Sequence, residues 1–200
     1  MTDVSKQRLL LATRNAHKTR EVREILGGGW IVEDLSVLPG LAEVEETGET
    51  FEDNAKLKAL AASPHYEGWV LADDSGLEVD ALGGAPGVRS ARFAGDNADM
   101  AANRALLLEK LREVRGQERR GRFRCVLALA KDGEVVRTFS GSVEGFITPA
   151  ERGSGGFGYD SLFIPEGSCR TFAEFTSQQK HSCSHRGRAL AQAAAFLRQL

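Results

Sequence analysis

This chain predicts an α/β fold with a mixed sheet flanked by helices, and three observations carry that expectation. Apolar strand-like runs alternate with helix-period segments through the first half, and the second half carries a hairpin signal. The 200 residues are 42% hydrophobic and 27% charged, the composition of an ordinary folded domain.

Taken in order, Arg8 to Ala12 reads as a buried strand, followed by the loop Thr13-Arg14-Asn15-Ala16-His17. A helix is expected over Lys18 to Leu26, with Val22, Ile25 and Leu26 apolar and Glu21 and Glu24 outward, stopped by Gly27-Gly28-Gly29. Trp30 to Leu35 is a second strand, and Phe51 to Ala62 is a helix closed by Ser63-Pro64. The acidic loop Glu43 to Thr50 precedes that helix start, where the dipole favours carboxylates. Trp69 to Ala72 is a strand that runs into an acidic turn, Asp73-Asp74-Ser75-Gly76, and Gly83 to Ser90 is a flexible loop. Asp96-Asn97 is expected to cap a long helix with Leu106, Leu107 and Leu111 inward, and the charged run Arg112 to Arg124 reads as a solvated helix end and loop. Cys125 to Ala130 and Val135 to Phe139 are strands joined at Asp132-Gly133. Gly153 to Asp160 breaks regular structure, and the alanine- and leucine-rich Ser184 to Leu200 is a closing helix.

Composition narrows the function. Lys and Arg number 26 against 28 Asp and Glu, so a net charge of -2 offers no general attraction to nucleic acid. A nucleic-acid module built on Arg119, Arg120, Arg122 and Arg124 would need interleaved aromatics, and Phe123 is the only nearby ring. The three cysteines, Cys125, Cys169 and Cys183, lack CxxC spacing and read as reduced thiols of a cytoplasmic protein. No apolar run approaches the length of a membrane span, and Leu9 to Ala12 is too short for a signal-peptide core.

Three constellations carry chemistry. Asp73-Asp74-Ser75-Gly76 presents carboxylates and a hydroxyl at a strand end, which reads either as ordinary turn chemistry or as a metal or general-base site. Two helices start with cations, Arg14, His17 and Lys18 at the first and His185, Arg186 and Arg188 at the last. These oppose the macrodipole unless an anion binds beside them. Gly155-Gly156-Phe157-Gly158-Tyr159-Asp160 allows close backbone approach and sets an aromatic face beside a carboxylate, so that a purine could stack on Phe157 and donate to Asp160. Acid for a cation and base for phosphate suggest a metal-dependent nucleotide enzyme.

Six motifs occur in order: Thr13 to Lys18, Glu45-Glu46-Thr47-Gly48 with Phe51 and Asn54-Ala55, Ala72 to Leu77, Gly83 to Val88, Gly155 to Asp160, and Ser184 to Leu190. Together they closely resemble the inosine triphosphate pyrophosphatase family, enzymes that act on non-canonical purine nucleoside triphosphates. The resemblance runs from Leu9 to about Leu190; Thr13-Arg14-Asn15 departs from the usual Thr-Gly-Asn, while Asn15 and Lys18 keep their spacing. It implies a single domain over residues 1–200, an elongated fold of two lobes with a substrate cleft between them, and commonly a homodimer. It implies Mg2+-dependent hydrolysis of ITP, dITP or XTP to the monophosphate and pyrophosphate. Asp74 would be the catalytic residue and, with Glu45, the metal ligand. Thr13, Arg14, Asn15, Ala16, His17, Lys18 and Ser75 would take the triphosphate, and Phe157, Gly158, Tyr159, Asp160, Lys180, His185 and Arg186 the base. A sensor that binds the nucleotide without hydrolysing it is the competing reading, against which the retained Asp73-Asp74 and Glu45-Glu46 argue.

Overall fold

The structure is a computed structural model that describes residues 7–199. Its strands are β1 (Gln7–Leu11), β2 (Trp30–Asp34), β3 (Trp69–Val79), β4 (Arg120–Lys131), β5 (Glu134–Ile147) and β6 (Phe163–Pro165). Its helices are α1 (Ala16–Leu26), α2 (Phe51–Ala62), α3 (Met100–Lys110), α4 (Ser177–Cys183) and α5 (His185–Leu197). The strands form one sheet in the order β2-β1-β3-β4-β5-β6, parallel where β1 meets β2 and β3 and antiparallel where β5 meets β6. The expected mixed α/β sheet is therefore present.

The chain divides into two compact units. The first takes the residues up to Asp74, with Val126–Ser140 and the chain from Ala189 on. Its core forms because β1 lies between two parallel neighbours, which buries Leu9, Leu10 and Leu11 completely and explains why that strand reads as an unbroken apolar run. Val22 of α1 and the small residues Ala55, Ala59 and Ala62 of α2 pack in the same unit. Helix α2 starts where Thr50 accepts from the Asp53 amide, with Glu52 and Asp53 in its first turn, the capping and charge that a helix N-terminus favours.

The second unit holds Ser75–Cys125 and Gly141–Arg188. Its core gathers Leu77, Val79, Leu107, Leu111, Phe123, Val143, Ile147, Tyr159, Leu162, Phe163 and Phe172. The Arg119 guanidinium is buried there and donates to the carbonyls of Leu111, Ile147 and Thr148, satisfying backbone at a helix end and a strand end with one side chain.

Several sequence expectations are corrected. Asp73-Asp74-Ser75-Gly76 does not turn: β3 continues through it to Val79. The turn propensity of Asp, Ser and Gly yields here to strand pairing, with lysines compensating the buried carboxylates. Arg120 to Arg124 is strand rather than solvated loop, since Arg122 pairs with Asp80 and Glu144 at 2.9 and 3.0 Å and so offsets charge along the sheet. Helix α3 is capped by Asp99, whose carboxylate accepts from Ala102, not by Asp96-Asn97. Residues 177–183 form the short helix α4, capped by Thr176, ahead of the closing helix. Helix α1 begins at Ala16, two residues early, because Asn15 caps it.

Candidate active site

Period-2 alternation along β3 sends Asp73 and Asp74 to opposite sides of the strand, and both are buried, 2% and 6% exposed. Burial of two adjacent carboxylates is tolerable only with compensating charge. Lys18 of α1 ion-pairs with Asp73. Lys58 of α2 lies 2.8 Å from Asp74 Oδ1, 3.0 Å from Glu46 Oε1 and 2.8 Å from the Asp73 carbonyl oxygen. The second Asp74 oxygen faces Asn54 Nδ2 at 3.4 Å, and Asn54 Oδ1 accepts from the Gly48 amide at 2.8 Å. That last bond fastens the acidic loop to α2 and needs glycine, because a Cβ at residue 48 would sit 2.6 Å from Asp53 Cβ. Burial holds the Asp74 carboxyl above its ordinary pKa; Lys58 pulls it back, and Glu46 adds to the rise. Burial works in the opposite sense on Lys58, yet attraction to Asp74 and Glu46 prevails and its pKa is raised.

The loop before α1 is built around Asn15, whose Oδ1 accepts from the amides of His17 and Lys18 at 2.9 and 3.3 Å. Thr13 Oγ1 accepts from the Asn15 amide, and Arg14 donates to the Leu41 carbonyl at 2.8 Å. Arg14, Asn15, Ala16 and His17 are exposed. Lys18, which its place at a helix start marks for an anion, ion-pairs with Asp73 here.

In the second unit Asp160 is the hub. Its Oδ2 accepts from Lys180 Nζ at 2.7 Å and from the Phe157 amide at 2.8 Å. Gly156, at φ +70°, makes room for that carboxylate: a Cβ there would lie 2.2 Å from Asp160 Oδ2. Over the Phe157 ring stand two cations, Lys180 Nζ at 4.6 Å and the Arg186 guanidinium at 5.4 Å. Arg186 donates to Ser75 Oγ at 2.9 Å. His185 stacks on Phe123 with ring centroids 4.7 Å apart.

A family model described as the Ham1 family matches residues 9–196. The chain belongs to the Ham1 family. A dITP/XTP pyrophosphatase of Desulforamulus reducens is 50% identical to it over 194 residues, covering 96% of both chains. One of the same name from Bacillus subtilis is 46% identical over 182 residues, 90% of this chain and 92% of the relative. The Ham1 protein of Staphylococcus aureus superposes with a TM-score of 0.84 at 40% identity, covering 96% of this chain and 99% of its own. That of Coxiella burnetii gives 0.86 at 37% identity, covering 97% and 100%.

Within this Ham1 chain the residues expected at the site fall into two sets. In the first unit Lys18 meets Asp73, and Asp74 meets Lys58 and Asn54 of α2; in the second Phe157, Asp160, Lys180 and Arg186 meet one another, and Ser75 accepts from Arg186. Glu45 is exposed, and the neighbouring Glu46 is the residue that meets Lys58. The carbonyl of Gly158 accepts from Arg104 Nη1. Tyr159 turns into the core, its hydroxyl donating to the Ser90 carbonyl at 2.8 Å while burial pushes its pKa up. Sequence reasoning missed Lys58, and took Asn54 as no more than a motif residue. The signal was available: Asn54 and Lys58 stand four apart on a predicted helix, hence on one face.

Proposed function

We propose that this chain is a nucleoside triphosphate pyrophosphatase that hydrolyses the non-canonical purine nucleotides dITP, ITP and XTP to monophosphate and pyrophosphate. The observation that carries the reading is Asp74, a buried carboxylate with its pKa raised by that burial, held by Lys58 on one oxygen and faced by Asn54 on the other. A base so placed accepts a proton from an attacking water more readily than an ordinary surface carboxylate. The relatives named dITP/XTP pyrophosphatase support the substrate class.

The oxygens of Glu46, Asp73 and Asp74 already converge on one cation, the Lys58 ammonium, and hard oxygens of this kind suit Mg2+. Asp74, with Glu45 or Glu46, would hold the ion. When bound, Mg2+ supplies positive charge against the phosphate oxygens. Lys18 and the Thr13 to His17 loop, capped by Asn15, would take the triphosphate at the start of α1.

Asp160, with Lys180, His185 and Arg186, would read the base. Hypoxanthine and xanthine present N1-H as donor and O6 as acceptor, so a carboxylate beside cations fits them; adenine reverses the pattern and leaves buried groups unpaired. Phe157 adds an aromatic face, whose ring already interacts with two cations. We assign the enzyme to the cytoplasm as a homodimer, for which size-exclusion chromatography with light scattering is the check on assembly.

Steady-state release of pyrophosphate from dITP, XTP, ITP, GTP and ATP with Mg2+ tests the reading. Rates on XTP or dITP that exceed ATP by tenfold or more are expected. Asp74→Asn should fold and lose at least about 100-fold in kcat, the usual scale of general-base catalysis. Tight nucleotide binding with no pyrophosphate released would favour the sensor instead.

A further inference from the structure

The turn that carries Phe157 and Asp160 has a support outside the groups assigned to the base. Arg104 lies on α3, distant in sequence, with its side chain one-fifth exposed. Its Nη1 donates to the Gly158 carbonyl at 3.1 Å, in the middle of the turn. Its Nε stands 2.9 Å from Glu151 Oε2, and that same carboxylate oxygen accepts from Ser161 Oγ at 2.8 Å. Glu151 and Ser161 flank the segment on either side, and the Arg152 amide donates to the Ser161 carbonyl at 2.9 Å. One guanidinium therefore grips the segment at its centre and, through Glu151, at both ends. The fork of arginine sets N–H groups apart on a rigid plane, which suits a carbonyl and a carboxylate at separate places, whereas a lysine offers its three donors from a single nitrogen.

The preceding residue on α3 shows what the helix is used for. Asn103, fully buried, donates to the Ala91 carbonyl at 3.0 Å and accepts from the Ala94 amide at 2.7 Å. The same helical turn thus fastens two irregular segments, and Arg104 is the arm that reaches residues 151–161.

We propose that Arg104 is a positioning residue for recognition of the purine base. By fixing the Gly158 carbonyl and Glu151, it holds the Phe157 to Asp160 turn so that the Asp160 carboxylate and the Phe157 ring are set before the base arrives. This rests on the pyrophosphatase reading for its effect on turnover, though not for its effect on the turn itself. A turn ordered in advance saves its ordering cost at binding, so loss of Arg104 weakens binding of the base rather than the chemical step.

Arg104→Leu and Arg104→Lys are compared with the parent protein by two readouts. Hydrogen exchange of the 157–160 amides in ligand-free protein should accelerate about tenfold in Arg104→Leu and less in Arg104→Lys. Apparent KM for XTP or dITP should rise about tenfold in Arg104→Leu with kcat changed less than twofold, while inhibition by inorganic tripolyphosphate, which has no base, stays the same. Unchanged exchange and unchanged KM in Arg104→Leu overturn the proposal, as does a parallel weakening toward tripolyphosphate. If the parent protein hydrolyses neither XTP nor dITP, the pyrophosphatase reading fails, and the exchange measurement still decides the role of Arg104. Should Arg104→Leu fail to fold, Glu151→Gln and Arg104→Lys serve in its place: each should shift exchange and KM in the same direction by a smaller factor, and no shift in either refutes the role.

Discussion

Replacing Lys58 with Met is the sharpest perturbation of the first unit, because one ammonium answers to three oxygens. Lys58 and Asp74 are 13% and 9% exposed at their side chains and 2.8 Å apart. At an effective dielectric of about 20, two unit charges at that separation attract by roughly 6 kcal/mol. Desolvation of both groups consumes part of that, and breaking such a pair by removing one partner typically costs about 3 to 5 kcal/mol because the other charge is left buried. Methionine keeps the length of the aliphatic stem, so lost packing adds little. Taking about 3 kcal/mol, and about 2 to 4 °C per kcal/mol for a chain of this size, Lys58→Met should melt roughly 6 to 12 °C below the parent protein at neutral pH in EDTA. The assay that isolates the pair is a double-mutant cycle with Asp74→Asn, read by urea unfolding. Asparagine removes the charge Lys58 compensates, so the double variant should lose less than the sum of the singles, with a coupling of about 2 kcal/mol. Additivity within about 0.5 kcal/mol would refute the view that Lys58 is there to neutralise Asp74.

Gly156→Ala forces a side chain to positive φ at about 1 kcal/mol or more and drives Asp160 Oδ2 from the Lys180 and Phe157 bonds; urea titration should show a total near 3 kcal/mol, with a raised KM for XTP. Gly48→Ala crowds Asp53 and Asn54 and separates the acidic loop from α2, so it should cost about 1 to 3 kcal/mol in the same titration and depress kcat more than KM. The Glu33 carboxyl is held below its ordinary pKa by the Tyr66 hydroxyl, 2.6 Å away, and by Arg8, against the opposing effect of burial; Tyr66 is itself pushed up to about 12. A depressed carboxylate contributes stability above its unfolded value of 4.5 that is lost as pH falls through the folded pKa. Glu33→Gln should therefore cost about 1 kcal/mol at pH 7 and progressively less as the pH falls below 4.5 and through the lowered folded pKa, as melting curves across acid pH will show.

Where residue pattern and burial agree, the sequence is a reliable guide to this fold. Leu9 to Leu11 can only be a strand buried on both faces, and Phe51 to Ala62 carries its own cap in Thr50 and its own stop in Ser63-Pro64. Legibility fails where tertiary charge compensation overrides local propensity. Asp73 to Gly76 has every local mark of a turn, and it is strand because Lys18 and Lys58 arrive from two helices to meet its carboxylates. Arg120 to Arg124 looks solvated, and it is strand because Glu78, Asp80 and Glu144 offset the arginines.

The candidate site shows the same division. Residues in contiguous motifs could be read directly, since a backbone need such as the close approach at Gly156 leaves a local signature. Lys58 could be read only through its four-residue spacing from Asn54, and Arg104 not at all, because a cation on a helix surface has by itself no local pattern that distinguishes a partner from solvent. Both nonetheless act on groups the motifs supply, Lys58 on Asp74 and Arg104 on the Gly158 carbonyl. A motif thus specifies which atoms must meet the substrate, while the charge that makes their burial tolerable comes from elsewhere in the chain. For that reason variants of the helix-borne cations separate the two explanations of a buried carboxylate: a merely structural aspartate recovers stability when it and its lysine are removed together, whereas a catalytic one recovers stability without recovering turnover.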